Sequence, residues 1–94
     1  MKFNDQQISL VTEILKSMAH PIRMKILCLL MEGEKNVGQI EQEFGSTISN
    51  ISQHLTVLRK ARIIDRRKEA NFMYYHLKDQ NIHKLMETLK NNFC

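Results

Sequence analysis

The sequence predicts a mainly α-helical domain with one β-hairpin near its C-terminal end. Gly and Pro are scarce, three and one in 94 residues, which disfavours a turn-rich all-β fold. Apolar residues recur at helical spacing over most of the chain. Residues 63–77 then switch to β-branched and aromatic runs. The length allows a single domain, residues 1–94, with a modest core. An apolar share of 43% is that of a globular chain.

Asn4 or Asp5 can cap a first helix, in which Ile8, Val11, Leu15 and Met18 recur at helical spacing with Leu10 and Ile14 beside them. His20-Pro21 breaks it, and Pro21 suits the first turn of a second helix running to about Met31 and stopping at Gly33. A short third helix, about Val37 to Phe44, ends at Gly45. A fourth starts near Ser46 or Thr47 and continues to about Ala61. Ile63 to Lys68 and Phe72 to Leu77 read as a hairpin. Its loop is Glu69-Ala70-Asn71, in which Asn71 can take the left-handed conformation. A last helix begins near Lys78 or Asp79, with Ile82, Leu85, Met86, Leu89 and Phe93 on one stripe.

The formal charge of +4 is unevenly spread. Residues 59–68, RKARIIDRRK, hold six basic residues and one acidic, and the rest of the chain is nearly neutral. A single basic edge on a near-neutral domain suits a polyanion. At about 100° per residue, Ile51, Leu55 and Leu58 share one side of the fourth helix. Ser46, Ser49, Asn50, Gln53 and Lys60 share the other, along with Val57. That outer face is small and polar, and its Ser, Asn and Gln groups can pair with base edges. The basic residues that follow suit phosphates. A helix, a glycine turn, a second helix and a basic hairpin form the order of a winged helix-turn-helix. The reading is of DNA binding, with Thr47, Ser49, Asn50, Gln53, His54 and Lys60 on the fourth helix and Arg66, Arg67 and Lys68 on the wing. Removing Arg67 is expected to flatten the salt dependence by about one contact.

No apolar run approaches the roughly 18 residues of a membrane span, and MKFNDQQ lacks a signal-peptide apolar region. A cytoplasmic protein with no membrane partner and free thiols is expected. Cys-x-x-Cys, a Cys–His–carboxylate arrangement and a cofactor loop are all missing from the sequence, so neither an enzyme nor a cofactor is expected.

Over essentially its whole length the chain resembles the ArsR/SmtB family of winged-helix repressors. The likeness rests on MAHPIRMKILCLL (18–30), GEKNVGQIEQEFG (33–45), SNISQHLTVLRKARII (49–64) and RRKEANFMYYHL (66–77). The resemblance implies homodimers joined through the first and last helices, bound to a pseudo-palindromic double-stranded operator and released by an inducer. Ile48 departs from the family's usual polar residue.

Family members differ in what they sense. Metalloid sensors carry cysteines in the stretch matching Glu34 to Ile40, where this chain has Asn36 and Gly38. Zinc sensors of the last-helix type need Asp, His, His and Glu. Asp79 can supply the first, but Asn81 stands at the expected His. No metal site is therefore expected. The two cysteines, Cys28 in the second helix and Cys94 at the end of the last, match the family's sulfur-responsive branch. The resemblance implies that the two thiols of one subunit lie close and are bridged by persulfide or polysulfide, weakening DNA binding. Cys28, within the apolar run Ile26 to Met31, would then be shielded from bulk oxidant yet reachable from a frayable terminus. Read without the resemblance, Cys28 is a small core hydrophobe. The alternatives are a metal-responsive repressor, or a regulator with no thiol switch that competes with another DNA-bound protein.

Overall fold

The computed structural model describes residues 1–45 and 48–94, with the backbone alone at Ile48 and Ser49. Five helices and a small antiparallel sheet follow in the order α1 (Asp5–Met18), α2 (Pro21–Leu30), β1 (Lys35–Asn36), α3 (Val37–Phe44), α4 (Ile48–Lys60), β2 (Ile64–Glu69), β3 (Phe72–Leu77) and α5 (Gln80–Phe93).

The helix ends are fixed by short polar side chains. Asn4 caps α1 in a reciprocal box with Gln7, and Asn36 caps α3 in the same way with Gln39. Asp79 caps α5, its Oδ1 accepting from the Asn81 N–H at 2.8 Å. At α2 the cap is the imidazole of His20, whose Nδ1 accepts from the Ile22 N–H at 3.1 Å. Gly45 closes α3 at a φ of 65°, a conformation that glycine adopts without a Cβ penalty.

The core is one cluster centred on Ile26, Leu27, Ile40, Ile51, Leu55, Leu58, Ile63 and Ile64, each almost wholly buried. Met18 from α1, Leu29 and Leu30 from α2, Tyr75 from β3, and Ile82 and Met86 from α5 complete it. The expected inner side of α4 is thus the buried one.

Two details of the sheet differ from expectation. The hairpin gains a third, two-residue strand: β1 pairs with β3, Lys35 opposite Tyr75 and Asn36 opposite Tyr74, giving the order β1-β3-β2. Two residues carry too little periodicity to be read as a strand, so the pairing arises from tertiary proximity. The hairpin closes with Glu69 opposite Phe72, leaving only Ala70 and Asn71 in the loop. The left-handed residue is then Ala70, at a φ of 54°, rather than Asn71. A two-residue loop with positive φ at its first position follows the type II′ pattern that suits strand twist. The start expected for the fourth helix, Ser46 or Thr47, lies outside the described residues.

Candidate nucleic-acid interface

Burial of Ile51, Leu55 and Leu58 turns the opposite side of α4 outward. Gln53, Val57 and Lys60 are exposed and Asn50 is half-buried. Thr47 and the side chain of Ser49 lie outside the described residues. Lys60 stands at the rim of an open cleft of about 540 Å³ between α1 and the end of α4, floored by Leu10, Ile14 and Val57.

His54, expected beside the DNA backbone, is half-buried and turned to residues of the α1–α2 junction and α2. Its Nδ1 lies 3.2 Å from the Arg23 Nη1, and its ring centroid lies 4.4 Å from that of His20. Burial, then the neighbouring His20 and Arg23, hold its pKa below the ordinary value. A neutral imidazole with one nitrogen already engaged is a poor phosphate contact. Arg23 was not singled out from the sequence. Its Nε donates to the Ser17 carbonyl and its Nη2 approaches the Lys16 carbonyl at 3.5 Å. A cation just beyond a helix C-terminus is a recognisable signal, but its contact with His54 spans 31 residues of sequence and is set by tertiary packing.

The wing divides its cations between two faces, because successive strand residues point to opposite sides. Arg66 lies on the Tyr75 face and approaches the Tyr75 hydroxyl at 3.4 Å. Lys68 is exposed and makes no ion pair with any described residue. Arg67 differs from the expected free phosphate contact. Its Nη2 and Nε donate to the Glu34 carboxylate at 2.8 and 2.9 Å, and its Nη1 donates to Glu69 at 2.9 Å. The guanidinium also stands 5.1 Å from the Tyr74 ring centroid. Glu34 adds a contact to the His76 Nδ1 at 3.4 Å. The hydrogen bonds from Arg67 hold the Glu34 carboxyl below its ordinary pKa, and Glu34 with Glu69 raises the pKa of Arg67. Arg67 therefore braces the wing across to the segment before β1. Glu34 was missed as its partner because the pairing depends on β1.

Both cysteines are free and exposed. The shielding expected for Cys28 is not found. With Ile26, Leu27, Leu29 and Leu30 turned into the core, the helical repeat places Cys28 on the opposite side of α2. It opens into a shallow groove of about 290 Å³ with Met24, Leu29 and Phe44. Cys94 ends α5, its Sγ 4.0 Å from the Leu89 carbonyl. Among the described residues no three His, Cys, Asp or Glu side chains converge on a metal-binding position. No described helix is long and apolar enough to cross a membrane.

Two further surfaces are apolar. Ile8 and Leu15 of α1 are each half exposed, and Phe93 of α5 is 79% exposed. Apolar residues presented on the first and last helices suit association with another apolar face.

A compact helical core that displays a polar helix face beside a cationic hairpin defines a winged helix-turn-helix DNA-binding domain. Residues 20–66 match the model of the bacterial regulatory protein arsR family. The biofilm growth-associated repressor of Xylella fastidiosa is 36% identical over 84 residues, covering 89% of this chain and 74% of that protein. The transcriptional activator HlyU of Vibrio cholerae is 35% identical over 81 residues, covering 86% and 75%. The structure of HlyU from Vibrio cholerae N16961 superposes with a TM-score of 0.89 at 31% identity, covering 97% of this chain and 99% of that one. The repressor BigR from Xylella fastidiosa superposes with a TM-score of 0.85 at 33% identity, covering 96% and 92%. The chain belongs to the arsR family of DNA-binding transcriptional regulators, and its similarity is to the BigR and HlyU type.

Proposed function

We propose that this chain is a homodimeric repressor. Its affinity for a pseudo-palindromic operator falls when reactive sulfur species link Cys28 and Cys94 within one subunit. The observation that carries the DNA reading is the exposed polar face of α4 beside the cations of the wing. In this reading Thr47, Ser49, Asn50 and Gln53 meet base edges, and Lys60, Arg66 and Lys68 meet phosphates. Arg67 supports the wing from its bridge to Glu34. The Ile8 and Leu15 stripe of α1, with α5, forms the dimer contact.

The thiol reading is supported by the free, exposed state of both cysteines, which packing alone leaves unexplained. Transfer of sulfane sulfur from a persulfide donor RSSH gives Cys28–SSH and releases RSH. The Cys94 thiolate then attacks the Cys28 sulfur, giving Cys28–S–S–Cys94, and the departing hydrosulfide is protonated to hydrogen sulfide. If both thiols first become persulfides, one attacks the other, giving Cys28–S–S–S–Cys94 and again hydrogen sulfide. A direct disulfide needs its Cα atoms within about 7 Å, and the longer bridge relaxes that demand. A hundredfold loss of operator affinity requires a coupling of about 2.7 kcal/mol.

The test is the intact mass of the reduced protein after polysulfide and, separately, after peroxide. Sulfur linking Cys28 to Cys94 within one chain, absent from either Cys→Ser variant and accompanied by DNA release, supports the switch. A protein that binds DNA but forms no intrachain link with either reagent removes the switch and leaves the regulator.

A further inference from the structure

Arg23 sits in the first turn of α2, where a cation opposes the helix dipole. Its position is therefore not explained by α2. Its guanidinium points to the other side of the His20-Pro21 break. There Nε and Nη2 meet the Ser17 and Lys16 carbonyls at the C-terminal end of α1. The remaining arm reaches His54 of α4, and His20, fixed by its own cap bond to the Ile22 N–H, closes over the His54 ring. A forked donor can span carbonyls on one helix and a ring nitrogen on another, which an ammonium on a single stem does less well.

His54 follows Gln53 directly and stands one helical turn after Asn50. A side chain held at this point constrains the rotation of α4 about its axis. The same guanidinium is tied to α1, which presents the Ile8 and Leu15 stripe. We propose that Arg23 is a positioning residue for DNA recognition, joining α1 to α4 through His54 so that the polar face of α4 is held at a fixed angle to the dimer helix. This rests on the reading of α4 as the recognition helix. A dimer on a palindrome must present two such helices one DNA turn apart, about 34 Å, so a rotation of either helix is felt at the bases before it is felt at the phosphates.

The experiment uses the full chain and two duplexes: one selected from a random pool by the wild-type protein, and a scrambled version of it. Arg23→Met, His54→Leu and the double variant are compared with wild type, with folding checked by circular dichroism. The expected result is a loss of about tenfold or more for the selected duplex in each single variant, with scrambled-duplex affinity and salt slope unchanged. The double variant should be no worse than the weaker single variant, because both break one link. His54→Leu keeps the bonds of Arg23 to α1, so it decides the matter if Arg23→Met does not fold. Wild-type affinity in a folded single variant overturns the proposal. A parallel loss on both duplexes with the slope lowered by about one also overturns it, because Arg23 is then itself a phosphate contact. Failure of the wild-type protein to select any duplex removes the DNA reading instead.

Discussion

Replacing Arg62 by glycine should stabilise the protein. Arg62 follows α4 at a φ of 62°. Its N–H donates to the Arg59 carbonyl at 3.0 Å, and the next N–H, that of Ile63, donates to the Leu58 carbonyl at 3.0 Å. These are the two bonds of a Schellman motif, with Arg62 at the left-handed position that glycine usually fills. Leu58 and Ile63, both buried, occupy the positions whose apolar contact accompanies the motif. A Cβ in this conformation costs about 1–2 kcal/mol, and the greater freedom of unfolded glycine offsets about 0.5–1 kcal/mol of its removal. Arg62→Gly should therefore gain about 0.5–1 kcal/mol. At about 4–8 °C per kcal/mol for a domain of this size, Tm rises by about 2–8 °C. The assay is thermal unfolding followed by circular dichroism at one fixed protomer concentration, because association shifts Tm. Arg62→Ala is the control: it removes the charge, keeps the Cβ and should show no such rise. An equal rise in both variants would assign the effect to charge repulsion in the basic segment and refute the backbone argument.

Arg67→Ala should leave the salt slope of DNA binding unchanged, because Glu34 and Glu69 already occupy its guanidinium, whereas Lys68→Ala should lower the slope by about one. Equal slopes for the two variants would contradict the brace. Leu55→Ala, at a position only 1% exposed, should cost about 2–5 kcal/mol in urea unfolding, and a cost under about 1 kcal/mol would place Leu55 outside the core. Acid should weaken the fold through His54. Its pKa is lowered in the folded chain by burial, His20 and Arg23, so the unfolded chain binds the proton more tightly. This contribution is complete above the ordinary value of 6.5 and is lost as pH falls through it toward the folded value. His54→Leu should flatten that part of a stability–pH profile, and an unaltered profile would assign the acid loss to other groups.

The helices were legible because their signals are local. Asn4 and Asp79 cap the helices they precede, Gly45 ends α3, and the 3.6-residue repeat separates Ile51, Leu55 and Leu58 from Gln53 and Lys60. The charge of the wing was equally legible, since six cations in ten residues need no fold to be counted. What those cations do was not. Whether Arg67 faces DNA or Glu34 depends on a two-residue strand pairing across some forty residues of sequence, and whether His54 faces phosphate or Arg23 depends on how α2 crosses α4. Cys28 shows the same division. Its apolar neighbours in sequence suggested burial, but a helix has two sides, and only the packing of Ile26, Leu27 and Leu30 decided which one faces solvent. The sequence by itself determined the order of the helices and the hairpin, the caps at Asn4 and Asp79, the core side of α4 and the basic edge, because these follow from backbone propensity and periodicity. Tertiary structure alone decided the partners of Arg23, His54, Glu34 and Arg67, because a side-chain contact between distant segments is fixed by the packing of the elements that carry them.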